Sequence, residues 1–259
     1  MKRPIALFLL LGLLGTVAAQ PFSLRGESYL PDSGDYALGL DAMPVLAYVG
    51  NMFNGTEDNE PPFVAFPNNS FALQGKVFVK KYLAYRARVR LGVGSASTIS
   101  LVPDATDADE EVEDRRTVSG TNVLLNVGLE QRKGKTRVQG FYGVEVQVGA
   151  NNGRTTYTYG NAIDDAEDFS RLLEETNGLT LSLGGRGFAG AEVFIFPKLA
   201  LGFEYGFGLI YALTGAQKTT VETWDGTDIE IVESRTGRSN RFGIDNDNNG
   251  GILTLTFVF

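Results

Sequence analysis

Apolar and polar residues alternate with a period of two along most of this chain, most cleanly between Leu199 and Thr214. Leu199, Leu201, Phe203, Tyr205, Phe207, Leu209, Tyr211 and Leu213 share one parity, and Ala200, Gly202, Glu204, Gly206, Gly208, Ile210, Ala212 and Thr214 the other. Successive side chains of a strand point to opposite faces, so the segment predicts a strand with one apolar face and one small or polar face. A soluble sandwich carries Lys, Glu and Thr on its non-core face. A row of Gly and Ala suits a narrow barrel interior instead.

The same alternation recurs in Phe71–Val79, Leu83–Val93, Asn122–Glu130, Arg137–Val148, Leu179–Ile195 and Ile252–Phe259. The first strand is less regular: Leu38, Leu40, Ala42, Pro44 and Leu46 face away from Gly39, Asp41 and Met43, and Pro44 predicts a bulge or break because it has no ladder N–H. The connections also alternate. Lys80–Tyr82, Arg132–Lys135 and Phe196–Lys198 are short, whereas Gly50–Ser70, Ser95–Val118, Tyr159–Gly178 and Glu222–Gly250 are long. Within the last of these, Thr219–Thr223 and Ile229–Glu233 are set to pair across Asp225-Gly226. Asp164–Thr176, with Phe169, Leu172 and Leu173 at helical spacing, predicts a short surface helix. The expectation is an all-β fold: a closed antiparallel transmembrane β-barrel of about eight strands, with short periplasmic turns and long extracellular loops. Ten strands is the alternative count.

Composition is compatible with this. No stretch after Leu14 approaches the roughly 18 apolar residues a membrane helix needs, so a membrane form of this chain must cross as a closed sheet. Lys2 and Arg3, the apolar run Ile5–Leu14 and the small residues Gly15–Ala19 have the layout of a Sec signal cleaved after Ala19. The expected organisation is a signal peptide over residues 1–19, an N-terminal periplasmic segment over 20–33 and a barrel domain over 34–259, in the outer membrane. Loss of Lys2 and Arg3 moves the net charge from −8 to −10, which disfavours nucleic acid as a partner.

The chain has no cysteine and no histidine. That removes disulfides, thiolate metal sites and the Ser/His and Cys/His nucleophile pairs, so no enzyme is expected. The inward parity instead collects charge: Lys76, Arg86, Arg88, Arg90, Arg137 and Arg186 against Asp41, Glu130, Glu145, Glu192 and Glu204. An eight-stranded lumen is just wide enough to be filled by side chains, and buried charges there must pair. These residues are expected to form a structural lumen network, with Arg86, Arg88 and Arg90 meeting Glu192, Glu204 or Asp41. No cofactor is expected. The acidic run Asp104–Asp114 and the turn with Asp245, Asp247 and Asn249 leave room for a loosely bound Ca²⁺ or Mg²⁺, although Thr256 at the twelfth position rejects an EF-hand.

With the strands in place, the chain resembles the small outer-membrane barrels of the OmpA/OmpX/OmpW type over roughly residues 34–259. Gly39-Leu40-Asp41 and Gly50-Asn51-Met52-Phe53 also resemble barrels of Bacteroidetes-like bacteria. The resemblance implies that Phe257 and the terminal Phe259 act as a signal to the barrel-assembly machinery. It also implies contact with outer-membrane lipid and lipopolysaccharide. The implied role is structural or surface-interacting, alone or as an accessory subunit of a larger outer-membrane assembly; the alternative is a porin-like narrow channel or small-molecule uptake barrel.

Overall fold

A computed structural model describes residues 26, 28–54, 73–107, 109–163, 170–246 and 252–259. The proposed signal peptide lies outside these residues. The described chain is almost entirely β-structure. In order it forms β1 (Tyr36–Asp41), α1 (Met43–Asn54), β2 (Leu73–Lys80), β3 (Leu83–Pro103), β4 (Glu111–Lys133), β5 (Val138–Thr158) and β6 (Arg171–Thr176). It continues with β7 (Thr180–Phe196), β8 (Leu199–Thr214), β9 (Lys218–Trp224), β10 (Ile229–Arg235), β11 (Ser239–Asn246) and β12 (Ile252–Val258). Among the described residues no helix is long and apolar enough to cross a membrane, which says nothing of strands.

Eight strands close into an antiparallel ring in the order β1, β2, β3, β4, β5, β7, β8, β12 and back to β1. The closing ladder pairs Ala37 with Val258 and Leu40 with Leu255. The terminal strands therefore cover each other's free edges. The other four strands stand at the long-connection end. β6 pairs with the upper part of β5, β9 with β6, and β10 with β9, while β11 pairs with the upper part of β8.

Three expectations are corrected here. The first strand does not run on to Leu46: it stops at Asp41, and Met43–Asn54 is helical. Pro44 lacks the N–H that a ladder needs, yet is tolerated in the first turn of a helix, where that N–H has no partner anyway. The predicted helix before Asn177 is, over its described part, strand β6, whose Thr176 and Glu175 pair with Lys218 and Thr219. Three apolar residues at helical spacing are outweighed by a neighbouring strand that satisfies the backbone. Finally, most of Ser95–Val118 is no loop. β3 and β4 stay paired from Leu83↔Gln131 up to Pro103↔Glu111. Their upper halves mix polar residues with exposed apolar ones such as Ile99 and Leu101, so the ladder continues where the hydrophobic alternation fades.

The ring is apolar outside and polar inside. Phe207 is 55% exposed, Leu183 59% and Val144 61%, whereas Arg86 and Glu204 are each 3% exposed. At the end with the short turns, Phe78, Phe194, Ala84, Ala200 and Val258 close the interior together with Tyr29 and Leu30. The segment carrying Tyr29 is tied down by Gly34, whose N–H donates to the Phe78 carbonyl, and by Ser33, whose hydroxyl donates to the Val79 carbonyl.

Candidate functional site

The concentration of chemistry in this molecule lies inside the ring. Period-two geometry sends Lys76 inward from β2, Arg86 and Arg88 from β3, and Glu130 and Arg132 from β4. Glu145 comes from β5, Arg186 and Glu192 from β7, and Glu204 from β8. All nine are buried.

They form one connected set of ion pairs. Glu204 is reached by Arg86 at 2.7 Å, Arg88 at 2.9 Å and Arg186 at 2.8 Å. Glu130 is met by Lys76 at 2.9 Å, Arg132 at 3.0 Å and Arg86 at 3.3 Å. Glu145 takes Arg86 at 2.6 Å and Arg186 at 2.8 Å, and Glu192 takes Arg132 at 2.5 Å and Lys76 at 2.7 Å. Each carboxylate thus has two or three cations, which a buried charge requires if its desolvation is to be offset.

Aromatic rings complete the lining. The Arg86 guanidinium lies 3.9 Å from the centre of the Phe188 ring, and the Lys76 ammonium 5.0 Å from that of Phe141. Arg132 sits 5.3 Å from Phe78. Buried cations gain from ring faces as well as from carboxylates. Room for these large side chains comes from glycines on the same parity. A Cβ on Gly206 would stand 2.2 Å from the Arg186 guanidinium, and one on Gly143 would stand 2.5 Å from the Phe188 ring.

Of the residues the sequence singled out, Lys76, Arg86, Arg88, Glu130, Glu145, Arg186, Glu192 and Glu204 come together here. Arg86 and Arg88 of β3 meet Glu204, one of the acids expected for them, while Glu192 is met by Lys76 and Arg132. Arg137 stands just before β5. Its guanidinium stacks on the Tyr29 ring at 3.6 Å. Asp41 and Arg90 occupy inward positions above the network and are half-buried. Arg132 is the residue that sequence reasoning missed. It stands beside Lys133-Gly134 and reads as part of a turn, yet the parity of Asn126, Gly128 and Glu130 points it inward.

The turn considered for a loosely bound ion lies largely outside the described residues. Asp245 belongs to β11, paired with Gly208, and Asp247 and Asn249 lie outside the described residues. In the acidic run, Asp104 accepts from the Thr106 hydroxyl and N–H, which holds its carboxyl below the usual range. Among the described residues no group of three or more acidic side chains is arranged to hold a metal. Phe257 faces outward on β12, and Phe259 exchanges backbone hydrogen bonds with Tyr36.

No protein-family model matches the chain, and no curated protein matches it.

Proposed function

We propose that this chain is an exported outer-membrane β-barrel of the small OmpA/OmpX/OmpW-like type, with a structural or surface-interaction role. The observation that carries this reading is the inversion of the ring. Its outward face presents Phe203, Tyr205, Phe207, Leu209, Leu181, Leu183, Val144 and Val146 to the surroundings, while its charges are buried. A soluble monomer rarely exposes more than about 300–600 Å² of contiguous apolar surface. An outer-membrane barrel must expose a band about 25 Å tall.

The choice of a structural role over a channel is supported by the interior. Paired charges and aromatic rings occupy the ring's cross-section, and Phe78, Phe194 and Tyr29 close its turn end. A selective pore favours a wider lumen with one dominant sign of charge. No catalytic role is assigned, since all four buried carboxylates are held by cations and none is placed as a free acid or base. A surface role is supported by β10, which pairs only with β9 among the described strands and exposes every residue from Ile229 to Arg235. An unpaired edge of this kind is a template for strand addition by a partner, alone or within a larger envelope assembly.

The test is reconstitution of the purified protein into planar bilayers, beside flotation with phospholipid vesicles. The reading expects flotation without conductance steps. Regular single-channel steps would replace it with the channel reading, and failure to float would remove the membrane assignment itself.

A further inference from the structure

The outward face is not uniformly convex. Across β1, β2, β3 and β4 the register places Leu38, Gly75, Ala87 and Val127 in one outward row and Tyr36, Val77, Tyr85 and Leu129 in the next. Gly75 and Ala87 leave the first row hollow. In the second row the short Val77 lies between two tyrosines, Tyr36 and Tyr85, exposed by 61% and 55%. The result is a groove of about 690 Å³ centred on β2. A Cβ on Gly75 would meet no atom within 4 Å, so the position opens directly outward.

The groove has a direction. The outward residues of β2 continue from Gly75 through Val77 to Val79, and the strand then ends in the exposed pair Lys80 and Lys81. Neither lysine forms an ion pair among the described residues. The carboxylates nearby are Asp32, which accepts from the Ser33 N–H, and Asp35, which is paired with Lys198. Six positions separate Gly75 from Lys81. They rise about 20 Å along a strand, or roughly 15 Å in depth at a tilt near 40°. That is about half of the ~30 Å hydrocarbon core, the depth of one leaflet.

We propose that the outward face of β2 is a phospholipid site: one acyl chain lies over Gly75 and Val77 between Tyr36 and Tyr85, and its anionic head group meets Lys80 and Lys81. The inference rests on the membrane reading above. The apolar groove supplies the chain contact, and Lys80 and Lys81, farther along the same strand beyond Val79, supply charge complementary to a phosphate in the turn-side leaflet.

The experiment uses the full mature protein in detergent, first checked for flotation with vesicles, then loaded with phosphatidylglycerol or phosphatidylethanolamine. Retained lipid is counted by native mass spectrometry. The wild type is expected to keep one phosphatidylglycerol. Gly75→Leu fills the hollow, and Val77→Phe, a second variant, raises the floor. Each should lower retention about tenfold, the factor that the lost burial of roughly two methylenes corresponds to. The Lys80→Gln/Lys81→Gln pair should abolish the preference for phosphatidylglycerol over phosphatidylethanolamine.

Unchanged retention in both groove variants overturns the site while leaving the membrane reading intact. A dimer in the wild type that Gly75→Leu dissociates would assign the groove to a second copy of the chain and also overturn it. A wild type that does not float fails earlier, at the membrane reading.

Discussion

Arg132 donates to Glu192 at 2.5 Å across the interior, although 60 positions separate them in the chain. The same guanidinium donates to Glu130 at 3.0 Å and to the Gln139 side chain at 3.0 Å. One arginine thereby joins β4, β5 and β7 near the closed end of the ring.

Arg132→Leu is expected to leave Glu192 and Glu130 short of a cation and to cost about 3–5 kcal/mol of stability, the usual penalty for breaking a buried pair from one side. Urea unfolding in detergent micelles measures it. Arg132→Leu combined with Glu192→Leu should recover part of that loss, because the uncompensated carboxylate is then gone. A single variant as stable as wild type would mean that Arg132 does not reach the interior.

Glycines of opposite parity on β7 and β8 should respond oppositely. Gly206→Ala places a methyl where the Arg186 guanidinium now lies and is expected to cost about 1–3 kcal/mol through overpacking. Gly185→Ala points into open space on the outer face and should be neutral, or stabilising by about 0.4–1 kcal/mol through the unfolded chain. Thermal unfolding of the two variants side by side decides the matter. Reversed sensitivities would place β7 and β8 one residue out of register.

The β9–β10 hairpin carries a pH dependence of its own. The Lys218 ammonium donates to Glu233 and, with Arg235 beside it, holds that carboxyl below the usual range. Asp225 is lowered in the same sense by the backbone N–H groups of Asp228 and Thr227. A carboxylate depressed in the folded state adds stability above its unfolded pKa and loses it as the pH falls through the folded value. Amide exchange over Lys218–Arg235, corrected for intrinsic rates, should therefore be slow at neutral pH and accelerate below the ordinary carboxylate range. Glu233→Gln should flatten the change. Exchange that ignores pH in the wild type would contradict the assignment.

The lower ring was legible in the sequence because burial on one face imposes a period of two, which the lower parts of β5 and β7 and most of β8 follow. The pairing of β9 with β10 was legible too, since Asp225-Gly226 marks a turn and Gly226 adopts a φ of +96°. What was not legible lay where that constraint weakens. Above Val93, β3 is exposed on both sides, so Ser95–Ser100 need not alternate and still remains a strand. Met43–Asn54 is uncharged and has no alternation to expose a helix, apart from the break announced by Pro44. Most of the charge network followed from parity alone. Arg132 was lost to its basic, glycine-flanked neighbourhood.

The most direct test of the account is a quenching scan along β8. Single labels are placed at each position from Phe203 to Leu209 in otherwise cysteine-free protein, which the native chain already is. The labelled proteins are then reconstituted into vesicles containing lipids that carry a quencher in the acyl chain. The account expects strong quenching at Phe203, Tyr205, Phe207 and Leu209 and little at Glu204, Gly206 and Gly208. Uniformly weak quenching, or the opposite parity, would contradict a membrane-spanning ring with its apolar face to the lipid.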